Sequence, residues 1–325
     1  MATIVTLTMN PTVDLFGATD ELVRDAKSRC EVLSREPGGG GINVARNLHR
    51  LGLSVQAIFP AGGILGKLLK DLLDKDGLDY HCVPTDEETR QNFALSERSS
   101  GRLYHFVFPG PQLQTAEWQQ CLAAIQALPT TTDYLILSGS LPAGVPEDFY
   151  AQVADEARSR GIKVILDTSG VPLRAALAAG VHIAKINHQE FAELGFTFDG
   201  EVDSMLDAMV RMVHEGNTDI MIVTLGPKGA LLVSRDGECL HAWPPPTEVV
   251  GHVGAGDGFV SLLVYQLSQG KSLDEAFAYG VAAAAAVVRS PGNQVQNMAE
   301  VEGLYREIKT QRNAVPSPLR GEGLQ

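Results

Sequence analysis

Short runs of β-branched and other apolar residues alternate with helical stretches along most of the chain, and this rhythm restricts the fold more than any other feature. Ile4 to Leu7 reads as a buried first strand closed by the turn Asn10-Pro11. Val55 to Phe59, Tyr134 to Leu137, Lys163 to Leu166, His182 to Ile186 and Ile220 to Thr224 read as further strands, with helical stretches between most of them. Strands joined through helices run parallel, and a parallel sheet is covered on both faces. The expected fold class is therefore α/β, with a mainly parallel central sheet flanked by helices.

Two regions, 12–36 and 88–108, break the rhythm. In the second, Asn92 to Ser96 and Leu103 to Phe108 flank the turn Ser99-Ser100-Gly101 as in a hairpin. Both are assigned to a small β appendage on a main domain spanning 1–312. Beyond it Pro316 to Gly323 has no periodicity and few apolar groups, so 313–325 is expected to be a disordered tail.

Among 325 residues, 44% are hydrophobic and 20% charged, a balance suited to a globular protein with a substantial core. The formal net charge of −13 opposes broad attraction to nucleic acid or anionic lipid, so an anionic ligand must be held by a local site. The N-terminal residues lack a basic stretch, and the longest apolar run, near Val281 to Val288, is far below membrane-spanning length. The expected setting is cytoplasmic, with neither a membrane nor nucleic acid as a partner. Cys30, Cys82, Cys121 and Cys239 lie far apart with no C-x-x-C pair and are expected to be reduced, structural thiols.

The chemistry concentrates in two glycine-rich segments. Val253-Gly254-Ala255-Gly256-Asp257-Gly258 leads into an apolar helical pattern. Amides at a helix start, with the positive end of the helix dipole, can hold a phosphate, and an aspartate in that turn can accept a proton from an attacking hydroxyl. Alone, the motif reads more readily as an ordinary glycine-rich turn with Asp257 as a cap, and its partners elsewhere in the chain change that balance. The other segment is Glu36-Pro37-Gly38-Gly39-Gly40-Gly41-Ile42-Asn43. Behind it Ile42 to Leu51 has apolar residues at 44, 45, 48 and 51, one helix face, with Gly52 at the C-terminal cap. Bare backbone suits close approach of a polar ligand, and Asn43 can both donate and accept. Two alternatives fail on spacing. Phe259 stands where a dinucleotide fingerprint needs glycine or alanine, and Ala61 and Leu68 around Gly66-Lys67 break the Walker A pattern.

Taken together, the Gly38 to Gly52 block with Asn43 and the distal Gly254-Ala255-Gly256-Asp257 resemble the two signatures of the ribokinase/PfkB family of carbohydrate kinases. The likeness runs to about residue 310 and is nearest to the bacterial 6-phosphofructokinase branch of isoenzyme II type. Thr89-Arg90-Gln91-Asn92, Ser138-Gly139-Ser140-Leu141-Pro142 and Leu225-Gly226-Pro227-Lys228-Gly229 support it. The resemblance implies a parallel sheet flanked by helices, with a small β lid that closes over the sugar and forms a homodimer contact. It implies ATP-dependent phosphorylation of fructose 6-phosphate, with Asp257 as base toward the 1-hydroxyl and the amides of Gly254, Ala255 and Gly256 around the transferring phosphoryl group.

By the same resemblance Asp14, Gly39 and Asn43 hold the sugar hydroxyls. Lys27, Arg29, Arg90 and Ser140 or Ser138 hold its phosphate, the lid bases reaching across a dimer. The nucleotide falls to Lys185, Asn187, Thr224, Gly226, Pro227 and Gly229. Glu190 organises magnesium through water, and it also forms the pattern of a capping box with Asn187. Potassium near the distal loop is a further implied cation. The chain departs from the family pattern at Ile186, where proline is usual, and at His252, where threonine is usual. Kinases for tagatose 6-phosphate or fructose 1-phosphate are neighbouring alternatives. The family's fructose-1-phosphate kinases typically carry a lysine in the glycine run, which here is glycine throughout from 38 to 41. A non-catalytic sugar-phosphate or nucleotide sensor and a dehydrogenase are alternatives of other classes.

Overall fold

The computed structural model describes residues 3–196, 202–289, 294–295 and 297–313. The chain opens with β1 (Thr3–Leu7), β2 (Thr12–Thr19), β3 (Glu31–Gly38), α1 (Gly40–Arg50), β4 (Val55–Ala61), α2 (Gly63–Asp76) and β5 (Asp79–Pro84). It continues through β6 (Arg90–Glu97), β7 (Arg102–Phe106), α3 (Thr115–Gln126), β8 (Thr132–Ser138), α4 (Phe149–Ser159), β9 (Lys163–Asp167), α5 (Gly170–Ala179) and β10 (Val181–Asn187). Then come α6 (His188–Glu193), α7 (Val202–His214), β11 (Thr218–Thr224), β12 (Ala230–Ser234), β13 (Cys239–Trp243), α8 (Ala255–Ser268), α9 (Leu273–Val287), α10 (Met298–Glu307) and β14 (Lys309–Arg312).

A ten-stranded sheet takes the order β14-β13-β12-β11-β10-β9-β8-β1-β4-β5. From β11 to β5 neighbouring strands are parallel, and β12, β13 and β14 add an antiparallel extension. Alternate residues of one strand feed two cores: Val5 and Leu7 pack with α3, α4, α5 and α7, whereas Ile4 packs with α1, α2, α8 and α9. Burial on both faces is why these strands read as unbroken apolar runs. A third cluster seats α10 on α8 and α9.

The chain winds outward from β1 in both directions, to β4 on one side and β8 on the other, so the strand order reverses there. In an open α/β sheet the crevice at such a reversal, beyond the carboxyl ends of the strands, is where ligands bind. Over it stands a second sheet, β3-β2-β6-β7, drawn from the two segments that broke the helical rhythm. In it β2 pairs parallel with β6, while the β2–β3 and β6–β7 pairs are antiparallel. Arg46, on buried α1, ties this sheet's stem to the body: its guanidinium meets Asp76 at 2.6 Å, Glu36 at 3.4 Å and the Pro37 carbonyl at 3.2 Å.

The structure differs from expectation in three places. The first helix begins inside the glycine run, at Gly40, because Gly39 turns the chain at φ 108° and lets the next two glycines enter the first turn. Of the cysteines, all of them free, Cys121 and Cys239 are buried, whereas Cys30 is exposed and has no structural packing role. The antiparallel extension had no counterpart in the sequence reading. Apart from Asn313, the expected tail lies outside the described residues. Among the described residues, no helix is long and apolar enough to cross a membrane.

Candidate active site

Helix α8 begins in the crevice, with Gly254 as its N-cap in the left-handed region at φ 79°. Helix geometry leaves the first amides without an intrahelical acceptor, and the dipole adds partial positive charge there. Asp257 lies in this first turn, and its Oδ2 accepts a 2.8 Å hydrogen bond from Asn43 Nδ2 of α1. The two sequence signatures, more than 200 residues apart, thus meet through one hydrogen bond (|i−j| = 214). Burial pushes the Asp257 carboxyl up to about 7, with the charge of Asp167 acting in the same direction and Asn43 and Lys185 opposing it. A carboxyl near neutrality matches the requirement for a general base.

Asp167 ends β9 and was not singled out by the sequence. It sits 3.1 Å from the Nζ of Lys185, on the neighbouring β10, in a pair whose side chains are 14% and 7% exposed. Burial pulls the ammonium down, but Asp167, with Glu190 and Asp257 behind it, outweighs this and holds Lys185 above its ordinary value. A Cβ at position 256 would come within 2.7 Å of that Nζ, so glycine lets the cation sit under the helix start. Asn187 and Glu190 form the capping box: Asn187 Oδ1 accepts from the amides of Gln189 and Glu190, and Glu190 Oε2 accepts from the Asn187 amide at 2.7 Å. Burial raises the Glu190 carboxyl, and Asp167 contributes.

These donors were tested against a divalent cation. Among the described residues no group of three or more His, Cys, Asp or Glu side chains could enclose a metal. What the site offers is a few carboxylate oxygens, Asp167 and Glu190, beside an anion-binding helix start. That donor set suits magnesium, which keeps most of its waters and leans on phosphate oxygens.

Thr224, Gly226, Pro227 and Gly229 line a cavity of about 360 Å³ together with Ala255, Gly256 and the apolar flank of α9. Its apolar walls and few polar groups suit a flat aromatic base. Val249 and His252 also line it, whereas their neighbours Val250, Gly251 and Val253 line a second cavity of about 220 Å³ beneath the small sheet, against Phe16, Leu33 and Leu103.

On the other side of Asp257, Asp14 of β2 is buried, and its Oδ1 accepts from Asn92 Nδ2 at 3.2 Å. Burial raises its carboxyl, opposed by Asn92, His105 and Arg90. A Cβ on Gly40 would collide with Ser138 Oγ and lie 3.2 Å from Asp257 Oδ1. Close approach of backbone to these groups thus requires glycine at 40. Ser140 Oγ accepts from Asn10 Nδ2 at 3.0 Å. Arg90 donates from Nη2 to the Asn10 carbonyl at 2.9 Å and from Nη1 to the Phe108 carbonyl at 3.0 Å. Asn10 Oδ1, Thr8 Oγ1 and Arg90 Nε are buried with no hydrogen-bond partner in the chain, which leaves polar capacity beside the crevice.

The structure therefore brings Asp14, Gly39, Asn43, Arg90, Ser138 and Ser140 to one side of Asp257 and the nucleotide set to the other. It does not bring Lys27 and Arg29 there. Both are exposed on the β2–β3 connection, where the Arg29 carbonyl accepts from Thr19 Oγ1. Thr19 is five residues beyond Asp14 along β2, roughly 17 Å at the rise of a strand. Asp167 and Asn10 went unmarked by the sequence reading, and for Asp167 the available signal was its place at the carboxyl end of a strand beside the reversal point.

The family model described as pfkB family carbohydrate kinase matches residues 3–299. The chain is 39% identical over 303 residues to ATP-dependent 6-phosphofructokinase isozyme 2 of Mycobacterium tuberculosis, covering 93% of this chain and 88% of that one. It is 30% identical over 315 residues to 1-phosphofructokinase of Haemophilus influenzae, covering 95% and 98%. The crystal structure of phosphofructokinase-2 from Escherichia coli in complex with potassium superposes with a TM-score of 0.89 at 36% identity, covering 94% of this chain and 99% of that one.

Proposed function

The chain belongs to the pfkB family of carbohydrate kinases, and from that premise we propose that it is an ATP-dependent sugar-phosphate kinase that transfers phosphate to the 1-hydroxyl of fructose 6-phosphate, giving fructose 1,6-bisphosphate. The observation that carries this reading is the Asp257 carboxyl, held near neutrality at the start of α8 and hydrogen-bonded to Asn43 of the glycine-rich segment. Phosphoryl transfer needs a positioned acceptor, a group to take its proton and donors for the developing charge. Asp257 takes the proton. The amides of Gly254, Ala255 and Gly256 receive the charge, and Asn43 aims the carboxylate. Lys185 keeps Asp167 neutralised under the helix start. Glu190 and Asp167 would hold magnesium brought by ATP, and the metal would supply neutralisation of phosphate charge.

The relative named 6-phosphofructokinase is more similar than the one named 1-phosphofructokinase, at 39% against 30% identity. The crowding at Gly40, which excludes a side chain beside Ser138, agrees with an acceptor carrying its phosphate away from the glycine run. The decisive measurement is ADP release with ATP and magnesium across fructose 6-phosphate, tagatose 6-phosphate, fructose 1-phosphate and unphosphorylated sugars, with and without potassium. The expected result is the highest kcat/KM on fructose 6-phosphate. A preference for fructose 1-phosphate would overturn the substrate, and absence of turnover on all of them would overturn the kinase.

The small sheet acts as a lid and joins two copies into a homodimer. Val32 and Phe106 stand exposed on the face turned away from Asp14, with Val107 and Phe108 exposed just beyond β7, apolar groups out of place on an isolated surface. Lys27 and Arg29, too far along the sheet to serve their own site, then serve the partner's. Phe106→Asp is expected to shift the sedimentation coefficient to that of a monomer and lower kcat/KM for the sugar phosphate about tenfold, with KM for ATP little changed. An unaltered sedimentation coefficient would remove the lid from the interface.

A further inference from the structure

Two walls of the larger cavity meet at one buried histidine. One wall is the single 3-10 turn Gly226–Lys228 with Gly229 after it, and another is Pro244, Pro245 and Pro246, which follow β13. The turn's own hydrogen bonds are short-range: Leu225 N–H donates to the Gly229 carbonyl at 2.7 Å, and Gly229 N–H donates to the Gly226 carbonyl at 2.9 Å. They fix its shape but not its place on the sheet.

His241 of β13 supplies a tie from outside the turn. Its Nε2 lies 3.0 Å from the Lys228 carbonyl oxygen. A carbonyl can only accept, so Nε2 carries the proton and donates. Burial lowers the pKa of this imidazole, opposed by the hydrogen bond to Lys228, in keeping with a neutral ring. Trp243, two residues on, lies with its ring centroid 3.6 Å from that of His241, and from Trp243 the chain passes directly into the prolines. In the register His241 is opposite Leu231, and Ala242 is opposite Ala230. Leu231 belongs to the core under α7, whereas Ala230 and Ala242 belong to the core under α8 and α9, and Ala230 lines the cavity. Successive residues of a strand point to opposite faces, so His241 reaches the turn from the side away from the cavity. A residue so placed acts on a nucleotide only through the turn. The contact is close: Gly229 has φ 87°, and a Cβ there would collide with the Ala242 carbonyl.

We propose that His241 is a positioning residue for the nucleotide: by holding the Lys228 carbonyl it fixes the Gly226–Lys228 turn against β13 and so sets the affinity for ATP. The proposal rests on the kinase reading above, which gives this cavity to the nucleotide. Without the imidazole donor the turn keeps its internal hydrogen bonds but loses its anchor, and binding must then restore the placement of the wall at a cost in affinity.

The test compares wild type, His241→Leu and His241→Gln in steady-state kinetics and in calorimetric binding of ADP with magnesium, sugar being absent. His241→Leu keeps apolar bulk beside Leu231 but has no donor. It is expected to raise KM for ATP and Kd for ADP about tenfold, the worth of one hydrogen bond, with kcat and KM for the sugar phosphate within about twofold of wild type. His241→Gln, whose side-chain amide still donates, is expected to stay within about threefold of wild type in all of them. Should the leucine variant not fold, His241→Asn, whose amide is too short to reach the carbonyl, takes its place with the same expected loss. A lowered melting temperature with KM for ATP and Kd unchanged would leave His241 a structural residue and overturn the assignment. Equal losses toward ATP and sugar phosphate, or no recovery with glutamine, would also overturn it. If wild type binds ADP but turns over no sugar phosphate, the kinase reading fails and the calorimetric comparison decides His241. If wild type binds no ADP, both fail.

Discussion

Asp257→Asn is expected to cut kcat by about 10²- to 10⁴-fold, the range for losing a general base, and to make the protein more stable at pH 8. The two effects share a cause. In the folded chain burial holds the carboxyl at about 7, above the 3.8 of an exposed aspartate. A carboxyl raised by folding contributes stability that is fully present below the unfolded value and is lost as pH rises through the folded one. Asparagine does not ionise and loses nothing, so the variant gains up to about 4 kcal/mol on wild type at pH 8, and the gain vanishes toward pH 4. Melting temperatures at the two pH values, beside initial rates, check this. Wild-type kcat/KM should rise with pH through about 7, where the base loses its proton. Near-normal turnover in the variant would remove Asp257 as the base, and an equal melting shift at both pH values would remove the ionisation argument.

Lys185→Met is expected to act in the opposite direction on stability and in the same direction on rate. Methionine fills the stem but leaves Asp167 without its cation in a largely dry site, and breaking such a pair costs about 3–5 kcal/mol. Asp257 loses one of the charges that hold its carboxyl down. The pH optimum should therefore move up, and turnover at pH 7 should fall about a hundredfold or more. Lys185→Met combined with Asp167→Asn should recover most of the stability in urea denaturation and little of the rate, since the orphaned charge is gone but the support under α8 is not restored. A single variant as stable as wild type would show that the pair carries no structural weight.

How much of this was legible depended on the range of each signal. The parallel core was readable because Ile4, Val5 and Leu7 are buried on alternate faces, and the one polar residue between them, Thr6, is β-branched and itself buried. The antiparallel strands at Ala230–Ser234 and Cys239–Trp243 were missed because a five-residue apolar run reads equally as buried helix. The helix start at Gly40 was missed because glycine is a poor helix former, and the reason that position is glycine, the nearness of Ser138, lies about a hundred residues away. Asp257 and Asn43 were found because each sits in a dense local motif. Asp167 carries no motif: it matters only because β9 and β10 set it beside Lys185. Lys27 and Arg29 show the converse, since resemblance named them and the length of β2 keeps them from their own site.

The strip from 249 to 253 forms part of the wall of two cavities at once, Val249 and His252 toward one and Val250, Gly251 and Val253 toward the other. A ligand that reshapes the strip from one side changes what the other side can bind, and thermodynamic linkage makes that exchange symmetrical. Whatever factor an occupant of the first cavity applies to affinity in the second, the second occupant must return to the first. A substitution within these five residues that alters binding in one cavity is therefore expected to alter binding in the other.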